Sequence, residues 1–355
     1  MQGDIIKIHS DFYYARVGNS IFECKIREKL KKEKIEVAVG DKAEINIVSE
    51  EENQAVIVDI VKRKNFIPRP FIANIDQIIT VASLNNPKLD FTQLDRYLIQ
   101  AKHFNIPAII CINKADIEDK KNLKDKAASI YDNLGYKIIF TSALTGEGIE
   151  ELKKVLNSRR TVFCGLSGVG KSSLINKLNP GLSLKTKQVS SKTRRGTHAT
   201  RHVELMTLDT ISKNTEVADT PGFSYLKFDT MMPETLINLF DDIKAFSAQC
   251  YYSDCLHIRE DGCNVLENID KIAPSRYLSY KVFVSEALEY KERLSMTGHK
   301  EEESYKTIDK SDKGKIKIVK IKVQKREESR KTGKQKLNLV SILDDAYYNN
   351  EEDSD

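Results

Sequence analysis

The sequence has no long apolar run and few cysteines. Its apolar stretches fall short of the ~18 residues that a membrane-spanning helix needs, and the start MQGDIIKIHS lacks the apolar centre of a signal peptide. Six cysteines in 355 residues are too few for a disulfide scaffold. These absences exclude an integral membrane protein and a disulfide-rich secreted domain, and we expect a soluble cytoplasmic protein.

Charge is unevenly distributed along the chain. The formal net charge is only +5, but residues 306–336 carry thirteen Lys or Arg against four Asp or Glu, a net of +9. Residues 337–355 carry six acidic and no basic side chains. Such a basic arm indicates a polyanionic partner, although lysines can also serve only to keep a surface soluble.

The first 66 residues predict a small β-barrel. Five runs of alternating apolar residues are separated by turn signals, and they lie at 4–8, 15–17, 21–26, 42–48 and 55–58. Short strands with polar loops suit a barrel of the oligonucleotide-binding (OB) type at residues 1–66, while an SH3-like or other small barrel without a ligand is the alternative. Pro68 and Pro70 break the pattern and predict a linker.

Residues 71–228 alternate between apolar strands and amphipathic helices. The predicted strands lie at 77–82, 108–112, 137–140, 161–164, 202–208 and 216–218. Helical spacing connects residues 91 and 104 and recurs at 149–157 and after Gly170. This βαβ rhythm predicts an α/β domain with a mostly parallel sheet covered on both faces.

Residues 229–298 predict a helical domain. One helix is expected to begin at Pro233 and to continue through Phe246, and a second to run from Pro274 to about Leu294. Residues 299–355 are charged and poor in aromatics, and we expect this extension to be disordered on its own.

A glycine-rich loop follows the strand at 161–164. Its sequence fits G-x4-G-K-[ST], because Gly165 begins it and Gly170, Lys171 and Ser172 end it. Backbone N–H groups of such a loop cradle phosphates at a helix N-terminus, the lysine reaches the β- and γ-phosphates, and the hydroxyl binds magnesium. The predicted nucleotide contacts here are Gly165, Leu166, Ser167, Gly168, Val169, Gly170, Lys171, Ser172 and Ser173.

Base recognition is predicted at two other strand ends. Asn113, Lys114 and Asp116 have the form N-K-x-D, whose carboxylate accepts hydrogen bonds from N1–H and the 2-amino group of guanine. Adenine lacks that donor pair, so GTP is favoured over ATP. Ser142 and Ala143 end the next strand, and their small size lets a backbone N–H reach the guanine O6.

A fourth motif completes a nucleotide site but in an unusual order. Asp219 and Gly222 fit D-x-x-G, which predicts that Asp219 holds magnesium through water and that the Gly222 N–H meets the γ-phosphate. The base-recognition elements precede the phosphate loop, so the order is a circular permutation of the usual GTPase. All motifs still follow parallel strands, where open α/β sheets bind ligands.

Cysteines are concentrated at one place in the C-terminal part. Cys250, Cys255, His257 and Cys263 supply three thiolates and one imidazole within fourteen residues. Four such ligands complete a tetrahedral zinc site with no open position, which predicts a structural ion. The alternative is three incidental thiols beside a surface histidine.

These motifs together resemble a family, the circularly permuted GTPases of small ribosomal subunit maturation called RsgA or YjeQ. The resemblance rests on N-K-A-D at 113–116, the loop at 165–173, G-T-H-A-T-R-H-V-E-L at 196–205, D-T-P-G-F at 219–223 and the cysteine cluster, and it extends to about residue 295. It implies an N-terminal OB barrel, a permuted GTPase domain, a C-terminal zinc domain, and GTP hydrolysis stimulated by the small subunit.

The resemblance also implies roles in the segment before Arg201. His198 corresponds to the family's switch histidine and is expected to orient or deprotonate the attacking water, because Phe223 stands where many GTPases have a glutamine. His198 contacting only RNA or solvent is the alternative. Thr200 is the expected magnesium ligand beside Ser172 and Asp219, since Ala199 replaces the family's first threonine.

The sequence thus predicts a monomeric GTPase that binds GTP or GDP with magnesium, carries one zinc ion, and acts on the small (30S) ribosomal subunit and its 16S-type rRNA. Hydrolysis would time late maturation and release of the protein. The alternative is an RNA-binding checkpoint or scaffold that senses GTP or GDP, with hydrolysis incidental. A GTPase of the large subunit is disfavoured by the barrel and the cysteine cluster, by family analogy only.

Overall fold

A computed structural model describes residues 1–33, 35–68, 70–119, 121–182, 184, 203–219, 228 and 230–297. The chain divides into two compact units, Met1–Leu226 and Lys227–Asp355, and each is described by itself. Among the described helices, none is long and apolar enough to cross a membrane.

A closed five-stranded barrel begins the first unit. Its elements are β1 (Gln2–His9), β2 (Phe12–Val17), β3 (Ser20–Ile26), the short helix α1 (Glu28–Lys32), β4 (Lys42–Ser49) and β5 (Gln54–Ile60). The strand order is β1-β2-β3-β5-β4, and β1 closes the barrel by pairing with β4. The predicted barrel is confirmed.

Alternation of side chains explains why these runs close into a barrel. Each strand places at least one almost fully buried residue in the interior, namely Ile5, Ala15, Cys24, Ile45 and Ile57. Strands β3 and β5 pair in parallel, so the connection between them must cross the barrel end, and α1 lies in that connection. The parallel pair is a long-range feature that no local pattern reveals.

A short hairpin replaces the predicted linker. Strands β6 (Phe66–Pro68) and β7 (Phe71–Ala73) pair antiparallel, with Pro70 in the turn between them. Ile67 and Ile72 are fully buried and belong to a core cluster with Ile6 of the barrel and Ile78 of the sheet. The linker prediction was wrong because two three-residue strands are too short to show periodicity between prolines.

A six-stranded sheet forms the rest of the first unit. Its strands are β8 (Gln77–Ser83), β9 (Ala108–Asn113), β10 (Lys137–Phe140), β11 (Arg160–Cys164), β12 (Leu205–Thr207) and β13 (Glu216–Asp219), in the order β10-β9-β8-β11-β13-β12. All neighbours are parallel except β12 and β13. The mostly parallel sheet is confirmed, although β12 is shorter than the predicted strand.

Helices cover both faces of this sheet. They are α2 (Phe91–His103), α3 (Leu123–Tyr131), α4 (Ile149–Leu156) and α5 (Lys171–Leu178). One core cluster joins Ile78 and Val162 to Tyr97 and Ala101 of α2, and the other joins the neighbouring strand positions, including Phe163, to α4 and α5. Helix α3 was missed, because the only residues that it buries are Ala127, Ile130 and Tyr131 and its apolar period is weak.

The second unit is helical around a loop. Its helices are α6 (Pro233–Ile237), α7 (Asp241–Ser247), α8 (Asn264–Glu267) and α9 (Pro274–Thr297). The single helix expected from Pro233 is in fact two, because Phe240 adopts an extended conformation at the start of α7. Its ring is fully buried against Tyr280, with centroids 5.3 Å apart, so tertiary packing overrides the continuous helical period.

Candidate nucleotide and metal sites

The predicted nucleotide residues gather at one edge of the sheet. Asn113 ends β9, Ser142 and Ala143 follow β10, the glycine-rich loop follows β11, and Asp219 ends β13. Parallel strands place their carboxyl ends side by side, so motifs that are far apart in sequence become neighbours. The circular permutation therefore changes the order of the motifs in the sequence without changing their arrangement at this edge of the sheet.

The glycine-rich loop requires glycine for steric reasons. Gly165 has φ +139°, and a Cβ at this position would overlap the Val81 carbonyl oxygen. Gly170 has φ +99°, and its Cβ would overlap Nδ2 of Asn113. Gly168 also has positive φ. Glycine is therefore required at Gly165 by the backbone of a neighbouring strand and at Gly170 by the side chain of Asn113.

Lys171 is buried and folded back onto its own loop. Its Nζ donates to the carbonyl oxygens of Gly165, at 2.7 Å, and Leu166, at 3.0 Å. Burial lowers the pKa of the ammonium, while the charge of Asp219 acts in the opposite direction. The cation is therefore held at the loop, where an anionic phosphate would be a stronger partner than two carbonyls.

Ser172 and Asp219 form the candidate magnesium site. The Ser172 Oγ donates to Oδ2 of Asp219 at 3.0 Å, and Oδ1 of Asp219 is buried without a hydrogen-bond partner in the described part of the chain. A buried, unpaired carboxylate oxygen is costly unless a donor or cation completes its surroundings. Oxygen donors of this kind fit Mg²⁺, which also retains several waters.

Asn113 connects three of the predicted motifs. Its Nδ2 donates to the Val169 carbonyl oxygen at 2.8 Å, and its Oδ1 accepts from the Ala143 N–H at 3.2 Å and the Thr141 hydroxyl at 3.3 Å. The side chain is 1% exposed. The Asn113 side chain therefore holds the base-recognition loops at a set distance from the phosphate loop. It also accepts a hydrogen bond from the Ala143 N–H, a backbone group of the Ser142 and Ala143 pair that was expected to reach the guanine O6.

Lys114 joins the same loops from the other side. It adopts φ +60°, and its Nζ donates to the Gly168 carbonyl oxygen at 2.8 Å and to the carbonyl oxygen of Asn86. Burial lowers the pKa of this lysine, and Asp116 opposes that shift. Asn86 was missed by motif reasoning, and the Asn85-Asn86-Pro87 turn signal after β8 is the feature that could have drawn attention to it.

The remaining predicted residues differ in their exposure to solvent, and three of them lie outside the described residues. Asp116 and Ser167 are exposed, Leu166 and Ser173 are half-buried, and Ser142 is buried with its Oγ accepting from the Thr145 N–H at 3.0 Å. An exposed carboxylate at Asp116 is accessible to a base. His198, Thr200 and Gly222 lie outside the described residues, so their roles stay predictions.

The four predicted zinc ligands converge in the second unit. Their ligand atoms all lie within 4.8 Å of one another. His257 Nδ1 is 3.5 Å from the sulfurs of both Cys250 and Cys263, which are themselves 3.9 Å apart. Tetrahedral Zn²⁺ with Zn–S of about 2.3 Å and Zn–N of about 2.0 Å requires separations of this size. The cluster is compatible with one zinc ion.

Neighbouring groups orient this cluster. His257 has φ +59°, and its carbonyl oxygen accepts from the Tyr277 hydroxyl at 2.9 Å. Glu260 accepts from the backbone N–H groups of Leu256, Ile258 and Arg259. Burial lowers the pKa of His257, which favours the neutral imidazole that a metal requires. The ligand loop is thus organised by α9 and by its own carboxylate.

Two family models match the chain. One described as the RsgA N-terminal domain matches residues 2–57, and one described as RsgA GTPase matches residues 60–229. The small ribosomal subunit biogenesis GTPase RsgA of Alkaliphilus metalliredigens is 40% identical over 287 residues, covering 80% of this chain and 97% of that protein. The protein of the same name from Caldanaerobacter subterraneus is 40% identical over 295 residues, covering 82% and 98%.

Solved structures agree with these relatives. YjeQ from Thermotoga maritima superposes with a TM-score of 0.68 at 33% identity, covering 81% of this chain and 98% of that one. YloQ, described as a circularly permuted GTPase, gives 0.64 at 33% identity, covering 82% and 95%. Since the motif order, the sheet and these relatives all agree, the chain belongs to the RsgA family of circularly permuted GTPases.

Proposed function

We propose that this protein is a GTPase that binds the small ribosomal subunit and hydrolyses GTP to time late subunit maturation and its own release. Its named relatives are small ribosomal subunit biogenesis GTPases. The partners would be the subunit with its 16S-type rRNA and GTP or GDP, and we expect a cytoplasmic monomer. The proposed domains are residues 1–66, 71–228, 229–298 and 299–355.

The observation that carries the proposal is the Ser172 and Asp219 pair beside Lys171. One phosphate-loop hydroxyl, one partly buried carboxylate whose Oδ1 is buried and unpaired within the described residues, and one buried ammonium lie where β11 and β13 end. Ser172 and Asp219, with Thr200, would hold Mg²⁺, and that ion would neutralise charge on the phosphates when bound. Lys171 would exchange its carbonyl partners for phosphate oxygens.

The proposal also assigns residues to guanine recognition and to activation of the attacking water. Asp116 would accept from guanine, with Asn113 and Lys114 holding the surrounding loops as they do in the structure. His198 would orient or deprotonate water. A structural zinc ion would occupy the cluster of Cys250, Cys255, His257 and Cys263, where it would stabilise the ligand loop without taking part in hydrolysis.

The proposed function is tested by GTP and ATP turnover with and without purified small subunits, at low and high salt. We expect GTP-selective, salt-sensitive stimulation, since RNA contacts weaken with salt. His198→Ala should retain GTP binding but lose stimulated turnover and remain on the particle. Unchanged slow turnover of the unaltered chain would contradict the proposal and favour a checkpoint, and normal hydrolysis by His198→Ala would remove the assigned catalytic role.

A further inference from the structure

A buried carboxylate joins the barrel to two strands that lead to the nucleotide site. Glu216, the first residue of β13, is 6% exposed. Its Oε1 pairs with Nη2 of Arg16 on barrel strand β2, and its Oε2 accepts from Nε of Arg160 at 2.6 Å. Arg160 is the first residue of β11. One carboxylate therefore links the barrel to the starts of two neighbouring strands.

Those two strands end at the nucleotide site. Strand β11 leads into the glycine-rich loop at Gly165, and β13 ends at Asp219, the partner of Ser172. Short strands packed in a sheet move as rigid elements. A displacement at the Arg160 and Glu216 end would therefore reach the phosphate loop and Asp219 at the other end.

Each arginine in this group also makes a second connection across the junction. Arg16 donates to the Thr207 hydroxyl of β12 at 2.8 Å. Arg160 donates to the Gly40 carbonyl oxygen at 2.7 Å and to the Asp4 carboxylate at 3.0 Å, both in the barrel. Burial alone would lower the pKa of Arg160, but Glu216 and Asp4 outweigh it and raise the pKa. Arg16 and Arg160 therefore each make two polar contacts across the junction between the barrel and the sheet.

The barrel also contacts Glu204 and β12, which follow His198 and Thr200 in the sequence. Lys7 of β1 forms a backbone bridge with Glu204, and their side chains pair at 3.0 Å. Below this contact, Ile6 of the barrel shares a core cluster with Leu205 of β12 and Ala218 of β13. The barrel is therefore packed directly against β12 and β13. In the sequence, β12 follows His198 and Thr200, and β13 leads into D-x-x-G.

We propose that contact of the small subunit with the barrel is transmitted to the nucleotide site through Arg16, Glu216 and Arg160, which makes Arg16 and Glu216 positioning residues for the stimulation of hydrolysis by the subunit and not for basal turnover. The proposal rests on the proposed function, because the small subunit is the partner that it requires. It assigns the coupling to the N-terminal barrel.

Arg16→Met is the informative variant. Methionine retains much of the apolar stem of the arginine, and Glu216 keeps Arg160 as a partner, so the fold should persist. We expect basal GTP turnover and GTP affinity to stay within about twofold, while the stimulation by small subunits falls by about tenfold through kcat. Arg16→Lys keeps the charge but not the two-pronged contact, and should retain part of the stimulation.

The matched control is Lys137→Met, which removes an exposed ion pair with Glu151 in the same unit and should leave stimulation unchanged. Equal loss of basal and stimulated turnover in Arg16→Met would show a merely structural role and overturn the inference, as would full stimulation of that variant. By contrast, a failure of small subunits to stimulate the unaltered protein would reject the proposed function itself.

Reciprocity supplies an independent measurement. If the barrel and the nucleotide site are coupled, replacing GDP by a GTP analogue must change the affinity of the protein for the subunit. The subunit must change the relative affinity for the two nucleotides by the same factor. In Arg16→Met, the ratio of the subunit affinity with the GTP analogue to that with GDP should fall by about tenfold. Sedimentation with the subunit in the presence of each nucleotide measures both affinities. An unchanged ratio would overturn the inference even if turnover fell.

Discussion

The Ser172 hydroxyl lies 3.0 Å from Oδ2 of Asp219, although the two residues are separated by 47 positions in sequence. The other oxygen of Asp219, Oδ1, is buried and unpaired within the described part of the chain. The pair brings together the end of the phosphate loop and the end of β13, and it supplies the oxygens around which magnesium and phosphate would assemble.

Ser172→Ala should reduce GTP turnover by about ten- to a hundredfold, because it removes the proposed magnesium ligand and the hydrogen-bond partner of Asp219. The measurement is turnover against magnesium concentration. GDP affinity without magnesium should change little, since the backbone N–H groups of the loop remain. Unaltered magnesium dependence would exclude Ser172 as a ligand.

Asp116→Asn should weaken GTP binding by about a hundredfold, since it would remove the two proposed hydrogen bonds from guanine to the carboxylate. An amide can donate to the 2-oxo group of xanthine, so XTP affinity should rise. Competition against a fluorescent nucleotide measures both. Asp125→Asn, an exposed acid on α3, is the control and should leave both affinities unchanged. Equal weakening of both nucleotides would contradict base recognition by Asp116.

Gly170→Ala should lower both stability and GTP affinity, because the new Cβ overlaps Asn113 and displaces the side chain that connects three motifs. Gly135→Ala is the matched control, since it has φ +78° but open space around its Cβ. Both carry the backbone strain of about 1 kcal/mol, and only Gly170→Ala should lose GTP affinity, by at least about tenfold. Equal affinities in a titration would show that the overlap relaxes freely.

Zinc removal should unfold the ligand loop of the second unit. We expect one zinc per chain by elemental analysis, and loss of helical signal with a strong chelator, because binding energy at such a site is folding energy. Cys255→Ser should lose the metal, whereas Cys24→Ser, a buried thiol of the barrel, should keep it. GTP affinity should stay within about twofold in both. A full zinc content in Cys255→Ser would contradict the ligand assignment.

Several local predictions failed where packing outweighed pattern. The prolines at 68 and 70 suggested a linker, yet Ile67 and Ile72 are buried in a hairpin. A continuous helical period through Phe240 suggested one helix, yet its ring is inserted against Tyr280 and breaks the helix. Helix α3 carried too few apolar residues to be recognised. In the first two cases the deciding contact is made with residues far away in sequence.

The sequence by itself determined the chemistry of the candidate site. G-x4-G-K-S, N-K-A-D, D-T-P-G and the cysteine cluster specify which atoms are available, and their order indicates the circular permutation. Such motifs are readable because local backbone conformation and side-chain type suffice to define them.

Only the tertiary structure decided which groups meet. Asn113 bonding to both Val169 and Ala143, Lys114 reaching Asn86, and Glu216 held between Arg16 and Arg160 all depend on strand order and on how the barrel packs against the sheet. These pairs are separated by 28 to 200 residues, so no local period encodes them. They form because burying the shared core brings the strands together, and each buried polar group must then find a partner.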